Sequence, residues 1–536
     1  MVAAAWPPWD VPILAWVALV PWCAAIERQT TLRGALVQGF WLSFTVGLCA
    51  AYWLAQAARE FLQLSWPLSV LVLLVFAASC AQPHLLFVGP LIHWGSARLG
   101  PGATAVRSLI FCLAMGLLYT GLDWVAPRLF DVGVGYALHD ATRLRQLADL
   151  GGVPLLTFLV VFVNLLVWRA WTSFREAGPR RITVAAHLLA VGTVLALGGG
   201  YGSLRLRASE AMVRDASSSF RAAVVQGNVA NDVRLAWARG DERAAEKQLA
   251  AYMLPTEEEA HALPEPELIV WPEVTFPGVF LQPRSTLQQG RATKFDRQVL
   301  RLNRPMVFGA YDLESVASEP VLYNALFAVT PRYDRPGSQG AVQRYRKHHL
   351  LPFAETIPGL SDAAWFRRYV PSVGFFGRGE GPTTFTIETP SRNEVVLGPL
   401  ICSESLSSQH VIETAKLGAQ VLLNVGSDGW FGRWGEPQFH LAAAKFRSVE
   451  TRRPQIRSAN TGISALILPS GEVAARSEIG KTSVLSIDVP ITAAEETLLM
   501  RWGSWFGAFS LLLGLVLFLF QLFVLRARRP AGETGV

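Results

Sequence analysis

Long apolar runs constrain this chain more than any other feature. Six stretches before residue 203, at about 9–26, 34–58, 66–94, 108–125, 153–171 and 182–201, are nearly free of charge, and a seventh covers 502–525. Most reach the ~20 residues that a helix needs to cross a ~30 Å hydrocarbon core. Backbone in lipid must satisfy its own hydrogen bonds, so such runs predict helices. The first run is short and carries Pro12 and Pro21, and the third holds Pro83-His84, which predicts a kink or a re-entrant turn. The first lacks a basic leading region and reads as a span rather than a cleaved signal. Composition agrees: 17% of the 536 residues are charged, against ~25% in an ordinary soluble domain.

The short loops orient the spans. Arg28, Arg33, Arg98, Arg107, Arg169, Arg175, Arg180, Arg181, Arg526, Arg528 and Arg529 follow the odd-numbered spans. The alternate loops hold Arg59, Arg128, Arg143 and Arg145, diluted by Glu60, Asp131, Asp140 and Asp149. Basic residues stay cytoplasmic, so the long polar segment is expected outside the cytoplasm, with the N-terminus outside and the C-terminus inside. This placement accounts for the net charge of +7 without a nucleic-acid partner, and none is expected.

The expected organisation is a transmembrane domain at 1–204, one polar domain at 205–498, a C-terminal span at 499–526 and a tail at 527–536. In the polar domain, runs at 222–225, 268–271, 306–310, 325–329, 395–401, 421–424, 463–468 and 484–487 read as strands. Segments 285–301 and 436–451 read as helices. Apolar strands interleaved with helices predict an α/β layered domain.

Four of the five cysteines, Cys23, Cys49, Cys80 and Cys112, lie in apolar runs, where Cys behaves as a small hydrophobe. Cys402 alone lies in the polar domain, so that domain forms no internal disulfide. No Cys/His cluster has metal-ligand spacing, and neither metal nor cofactor is expected.

Three motifs place reactive groups where α/β folds build sites, at strand ends. Leu268-Ile-Val-Trp-Pro-Glu273 ends in a carboxylate, Tyr345-Arg-Lys-His-His-Leu-Leu-Pro-Phe-Ala-Glu355 carries Lys347 and Glu355, and Leu397-Gly-Pro-Leu-Ile-Cys-Ser-Glu404 carries Cys402 and Glu404. A thiol needs a base to become a nucleophile, a role open to Glu273. Attack on a carbonyl makes an oxyanion, which Lys347 and a backbone N–H would stabilise. Each residue alone has a plainer reading: Glu273 as a loop cap, Lys347 as a solvated charge, Cys402 as core filler, Glu355 and Glu404 as ion-pair partners.

Together and in this order the motifs resemble the nitrilase, or carbon–nitrogen hydrolase, superfamily, whose catalytic set is Glu, Lys and Cys. Flanking spans make the chain similar to the membrane branch of that superfamily, the apolipoprotein N-acyltransferases. Val225-Gln-Gly-Asn228, Ala148-Asp-Leu-Gly-Gly152, Leu159-Val-Val-Phe-Val-Asn164, Ser427-Asp-Gly-Trp-Phe-Gly432 and Arg457-Ser-Ala-Asn-Thr-Gly-Ile-Ser464 extend the likeness over most of the chain.

The resemblance implies an α-β-β-α sandwich on the periplasmic side of a bacterial inner membrane, anchored by a multi-span helical domain. It implies a ping-pong reaction: Cys402 takes an acyl chain from a phospholipid, and the thioester acylates the N-terminal diacylglyceryl-cysteine of an apolipoprotein. Glu355 and Glu404 match supporting glutamates, and Trp237, Ser403, Trp430, Phe375 and Phe376 are expected to touch substrate. Trp365, Phe366, Phe375 and Phe376 would form either a lid toward lipid or domain core. The protein is expected to be a monomer. Two alternatives stand beside this reading, an amidase with water as acceptor and a weakly catalytic paralogue that binds partners. Ser403 occupies a position where the family usually has an aromatic residue, and seven spans are counted where it usually has eight.

Overall fold

The computed structural model describes residues 1–526 apart from 80, 101–102, 130–131, 176–180, 282–285, 317–318, 333–338, 358, 361–375 and 392. The backbone forms two compact units. One comprises Met1–Tyr52, Val70–Leu206 and the chain from Arg501; the other comprises Trp53–Ser69 and Arg207–Met500.

In the first unit, Leu32–Ala50, Ala105–Val125, Ala148–Arg175, Arg181–Arg214 and Trp505–Phe523 are long and apolar enough to cross a membrane. The run at 9–26 is a 3-10 turn, Pro12–Trp16, followed by the short helix Val20–Glu27. The break between the two leaves Ala15 O and Leu19 N without their α-helical pairing, and a side chain from another helix completes the backbone. Asn164 Nδ2 donates to Ala15 O at 2.6 Å, and Asn164 Oδ1 accepts from Leu19 N at 2.8 Å. The run at 66–94 is two helices, Trp66–Ser79 and Leu85–Leu99, with Pro83-His84 between them, which is the kink its proline predicts. The run at 34–58 also divides: the segment after Tyr52 belongs to the other unit, as the helix Leu54–Leu62. Its apolar and polar residues segregate onto opposite faces, unlike those of a helix surrounded by lipid.

The second unit contains two six-stranded sheets. The first has the order β12-β1-β2-β3-β4-β5 and the second β11-β10-β9-β8-β7-β6. The ranges are β1 Ser218–Gln226, β2 Leu268–Val270, β3 Met306–Val316, β4 Glu319–Pro331, β5 Gln339–Arg346 and β6 Phe385–Glu388. The others are β7 Glu394–Ile401, β8 Val421–Gly426, β9 Gln455–Ala459, β10 Ala465–Ile467, β11 Val473–Arg476 and β12 Ser483–Ile491. Val224, Val307 and Leu326 of the first sheet share one core with Leu397, Val425 and Ile456 of the second. Burying each such side chain contributes about 1.5–3 kcal/mol.

Helices cover the outer faces. Leu249 and Tyr252 of Glu242–Ala260, with Phe295 of Thr286–Leu302, pack on Ile269, Phe308 and Phe327. Val411 of Ser408–Lys416 packs on Leu400 and Leu422, and Leu441 of Glu436–Thr451 on Ile463 and Ala465. The layers are therefore α-β-β-α, as the motifs imply.

Candidate active site

The site is built on loops that leave the ends of β2, β5 and β7. After β2 the chain turns through Trp271-Pro272-Glu273-Val274, and Val274 is left-handed at φ 49°. Gly309 of β3 lies against this turn, donating to Pro272 O at 3.1 Å and accepting from Thr275 N at 2.8 Å. A Cβ on Gly309 would fall 2.3 Å from Val274 N and 2.7 Å from Glu273 Cα. Only hydrogen fits there, so a glycine on the neighbouring strand sets where Glu273 stands.

Lys347 directly follows β5, its N–H continuing the sheet by donating to Asn324 O of β4 at 2.8 Å. Its side chain is buried, with Nζ 2.8 Å from Glu355 Oε2 and 3.7 Å from Glu273 Oε1. Asn324 ties the two carboxylates together: Nδ2 donates to Glu273 Oε1 at 2.7 Å and to Glu355 Oε1 at 3.0 Å. Glu355 Oε2 also accepts from Leu351 N at 2.8 Å, which folds its loop back on itself. Burial alone would lower the Lys347 pKa, but Glu355 foremost, with Glu273, holds it above the ordinary lysine value. An ammonium shared by two carboxylates is fixed in charge and in place. Asn324 escaped the sequence reading; the only trace is an amide directly ahead of the apolar run at 325–329.

Cys402 follows β7 as the first residue of a 3-10 turn, Cys402–Leu406. It is buried and left-handed, φ 53°, a conformation that costs a non-glycine residue roughly 1–2 kcal/mol. Its carbonyl oxygen accepts from Asn424 Nδ2 at 3.2 Å, Ser405 Oγ at 3.2 Å and His440 Nε2 at 3.1 Å. Burial pushes the thiol pKa well above its ordinary value, the Glu273 carboxylate raises it further, and Lys347 opposes both.

Glu404 is not part of the Glu273–Lys347–Glu355 cluster. Its Oε1 accepts from Tyr345 OH, His348 N and His349 N at 2.7, 2.7 and 3.1 Å, and its Oε2 accepts from Ile401 N at 2.7 Å. It anchors the Lys347 loop to the end of β7. Burial raises its pKa against those donors. Trp237 donates to Gln248 Oε1 at 2.7 Å and stacks toward Tyr311, which in turn meets Phe376. Phe376 N donates to Glu355 O at 3.2 Å, so this aromatic row reaches the carboxylate loop. Ser403 is half-buried beside Cys402. Trp430 is stacked on Phe61 at 4.6 Å, with the Arg234 guanidinium 5.2 Å from its ring centre. Trp365, Phe366 and Phe375 lie outside the described residues.

Beneath Cys402 lies a second buried cluster, Asp428, Glu436 and His440, whose ligand-type atoms lie within 4.8 Å of one another. Arg457 of β9 donates to both Asp428 oxygens, at 3.1 and 2.8 Å. Burial lowers the His440 pKa, but Asp428 and Glu436 hold it above its ordinary value, while burial and Asp428 push Glu436 up to about 7; with Arg457 on Asp428, the cluster closes as an ion network.

Residues 1–166 match the model of the apolipoprotein N-acyltransferase N-terminal domain, and residues 221–497 match that of the carbon–nitrogen hydrolases. An apolipoprotein N-acyltransferase of Bdellovibrio bacteriovorus is 30% identical over 93% of this chain and 87% of its own length. The chain belongs to the apolipoprotein N-acyltransferase family. Relatives of that name in Geobacter metallireducens and Rhodopseudomonas palustris are 26% and 29% identical over 95% and 99% of this chain, and over 90% and 92% of their own lengths. Membership makes the chain an acyltransferase and does not favour water as the acceptor. Its apolar helices are those of a bacterial membrane protein.

Proposed function

We propose that this acyltransferase moves an acyl chain from a membrane phospholipid, through a thioester on Cys402, to the N-terminal amine of a diacylglyceryl-cysteine apolipoprotein. The observation that carries the proposal is the Glu273–Lys347–Glu355 cluster, whose loop Glu404 ties to the end of β7, where Cys402 follows. Glu273 takes the thiol proton as Sγ bonds to the ester carbon. Lys347 neutralises the resulting oxyanion. The lysophospholipid leaves with the proton held by Glu273. The apolipoprotein amine then attacks the thioester and gives its proton to Glu273, and the thiol is restored as the amide forms. Glu355 keeps Lys347 charged and placed, and Glu404 holds the loop between them.

Incubation of the purified protein with acyl-labelled phospholipid should give a single acyl adduct on the Cys402 peptide by mass spectrometry. A second-stage amine, a diacylglyceryl-cysteine peptide, should discharge it. An adduct discharged by water as fast as by the peptide would favour amidase chemistry instead.

The orientation follows from the arginines, with the catalytic unit outside the cytoplasm. Leu263 is 88% exposed, so Leu263→Cys should react with a membrane-impermeant maleimide on intact spheroplasts. Reaction only after lysis would reverse the orientation.

A further inference from the structure

We propose that His440 is a positioning residue for the nucleophile: its Nε2–H, with Ser405 Oγ and Asn424 Nδ2, clamps the Cys402 carbonyl and so holds the left-handed turn that presents Sγ. This rests on the assignment of Cys402 as nucleophile. Three donors converge on one carbonyl oxygen, at 3.1, 3.2 and 3.2 Å, where a peptide oxygen ordinarily accepts one or two.

Each donor comes from a different place. Ser405 belongs to the Cys402–Leu406 turn itself, Asn424 to β8 and His440 to the helix Glu436–Thr451. The turn is thereby fixed to the strand beside it and to the helix covering the sheet. A left-handed cysteine would relax toward ordinary backbone without such a hold.

The ring is set by its other nitrogen. His440 Nδ1 lies 3.2 Å from Glu436 Oε1 and 3.4 Å from Asp428 Oδ1. Both are ion-pair distances; the hydrogen on Nε2 is assigned from Cys402 O, which only accepts, and Ser405 Oγ, 2.8 Å from Nε2, donates to the same carbonyl and shares the Nε2–H. Arg457 fixes Asp428 in turn and donates to Asn424 Oδ1. Asn424 Oδ1 is thereby occupied, and its Nδ2 is left to point at Cys402. The charged groups facing His440 are thus Glu436 on its own helix, Asp428 after β8 and Arg457 on β9. A divalent cation there would compete with a guanidinium that already holds both Asp428 oxygens. Among the described hydrogen bonds, none joins this network to the Glu273–Lys347–Glu355 cluster, so it acts on the sulfur through the backbone.

The test is single-turnover thioester formation with labelled phospholipid, the final adduct stoichiometry counting correctly folded sites. His440→Ala should slow acylation per folded site by ~10²-fold, the scale on which a misplaced reacting group is penalised, with KM for phospholipid unchanged. His440→Gln, which restores an N–H donor, should recover to within about tenfold of wild type. Ser405→Ala removes another donor while leaving the ion network whole, and should cost about tenfold at unchanged KM. A wild-type rate constant in either alanine variant, or a raised KM with unchanged kcat, would overturn the proposal. So would a stoichiometric divalent metal in the purified protein that is lost in His440→Ala. The absence of any adduct in wild type would instead overturn Cys402 as nucleophile, and the clamp with it.

Discussion

Cys402→Ala should abolish both the acyl adduct and transfer to peptide, a loss on the order of 10⁶-fold, the scale on which removing a covalent nucleophile is felt. The side chain is buried and small, and alanine leaves the carbonyl and its three donors in place. The fold should therefore survive, and thermal unfolding of the variant should stay close to wild type. Mass spectrometry of the variant after incubation with labelled phospholipid decides the matter. A persistent adduct would move the nucleophile elsewhere, since the other free cysteines among the described residues, Cys23, Cys49 and Cys112, all belong to the other unit.

Lys347→Met should be as revealing, because it removes a buried ammonium that Glu273 and Glu355 share. Leaving a buried charge without its partner typically costs about 3–5 kcal/mol. Loss of an oxyanion-stabilising donor costs a further ~10²–10³-fold in rate. Melting and single-turnover acylation separate the two effects: the variant should melt well below wild type, and the sites that remain folded should form the thioester more slowly. An unchanged melting temperature would mean that the carboxylates are neutralised by something other than Lys347. Glu273→Gln makes the contrasting case. It keeps the hydrogen-bonding shape, loses the base, and should slow thioester formation by ~10²–10⁴-fold with little change in melting.

Strands whose partners are apolar could be read from the chain. β1, β3, β4, β7 and β8 each have a counterpart among the expected runs, because a buried strand of Val, Leu and Ala announces itself by composition. The strands β5, β6, β9 and β11 did not. β9 shows why: Gln455-Ile-Arg-Ser-Ala459 is wholly buried yet mostly polar, and its arginine is tolerated only because Asp428 and Asn424 meet it from β8 and the turn beyond. That compensation is a property of neighbours in space, not of neighbours in sequence. The helix Leu54–Leu62 was absorbed into an apolar run for a related reason. Hydropathy averages over a window, whereas its assignment to the catalytic unit depends on one face carrying Phe61 to Trp430 and Phe431.

Amino-acid order alone carried the apolar helices, though among the described residues five rather than seven are long enough to cross a membrane, together with the α/β class and the three strand-end motifs with Glu273, Lys347, Glu355, Cys402 and Glu404. These depend on periodicity and on local residue type, which the chain displays directly. Tertiary structure alone decided what each group does to its neighbours. It joins Glu355 to Lys347 and Glu273 through Asn324, and it spends the Glu404 carboxylate on backbone N–H groups. It also sets His440 beneath the carbonyl of Cys402. Those relations are set by distances of about 3 Å between groups far apart in the chain, and a linear pattern holds no record of such distances.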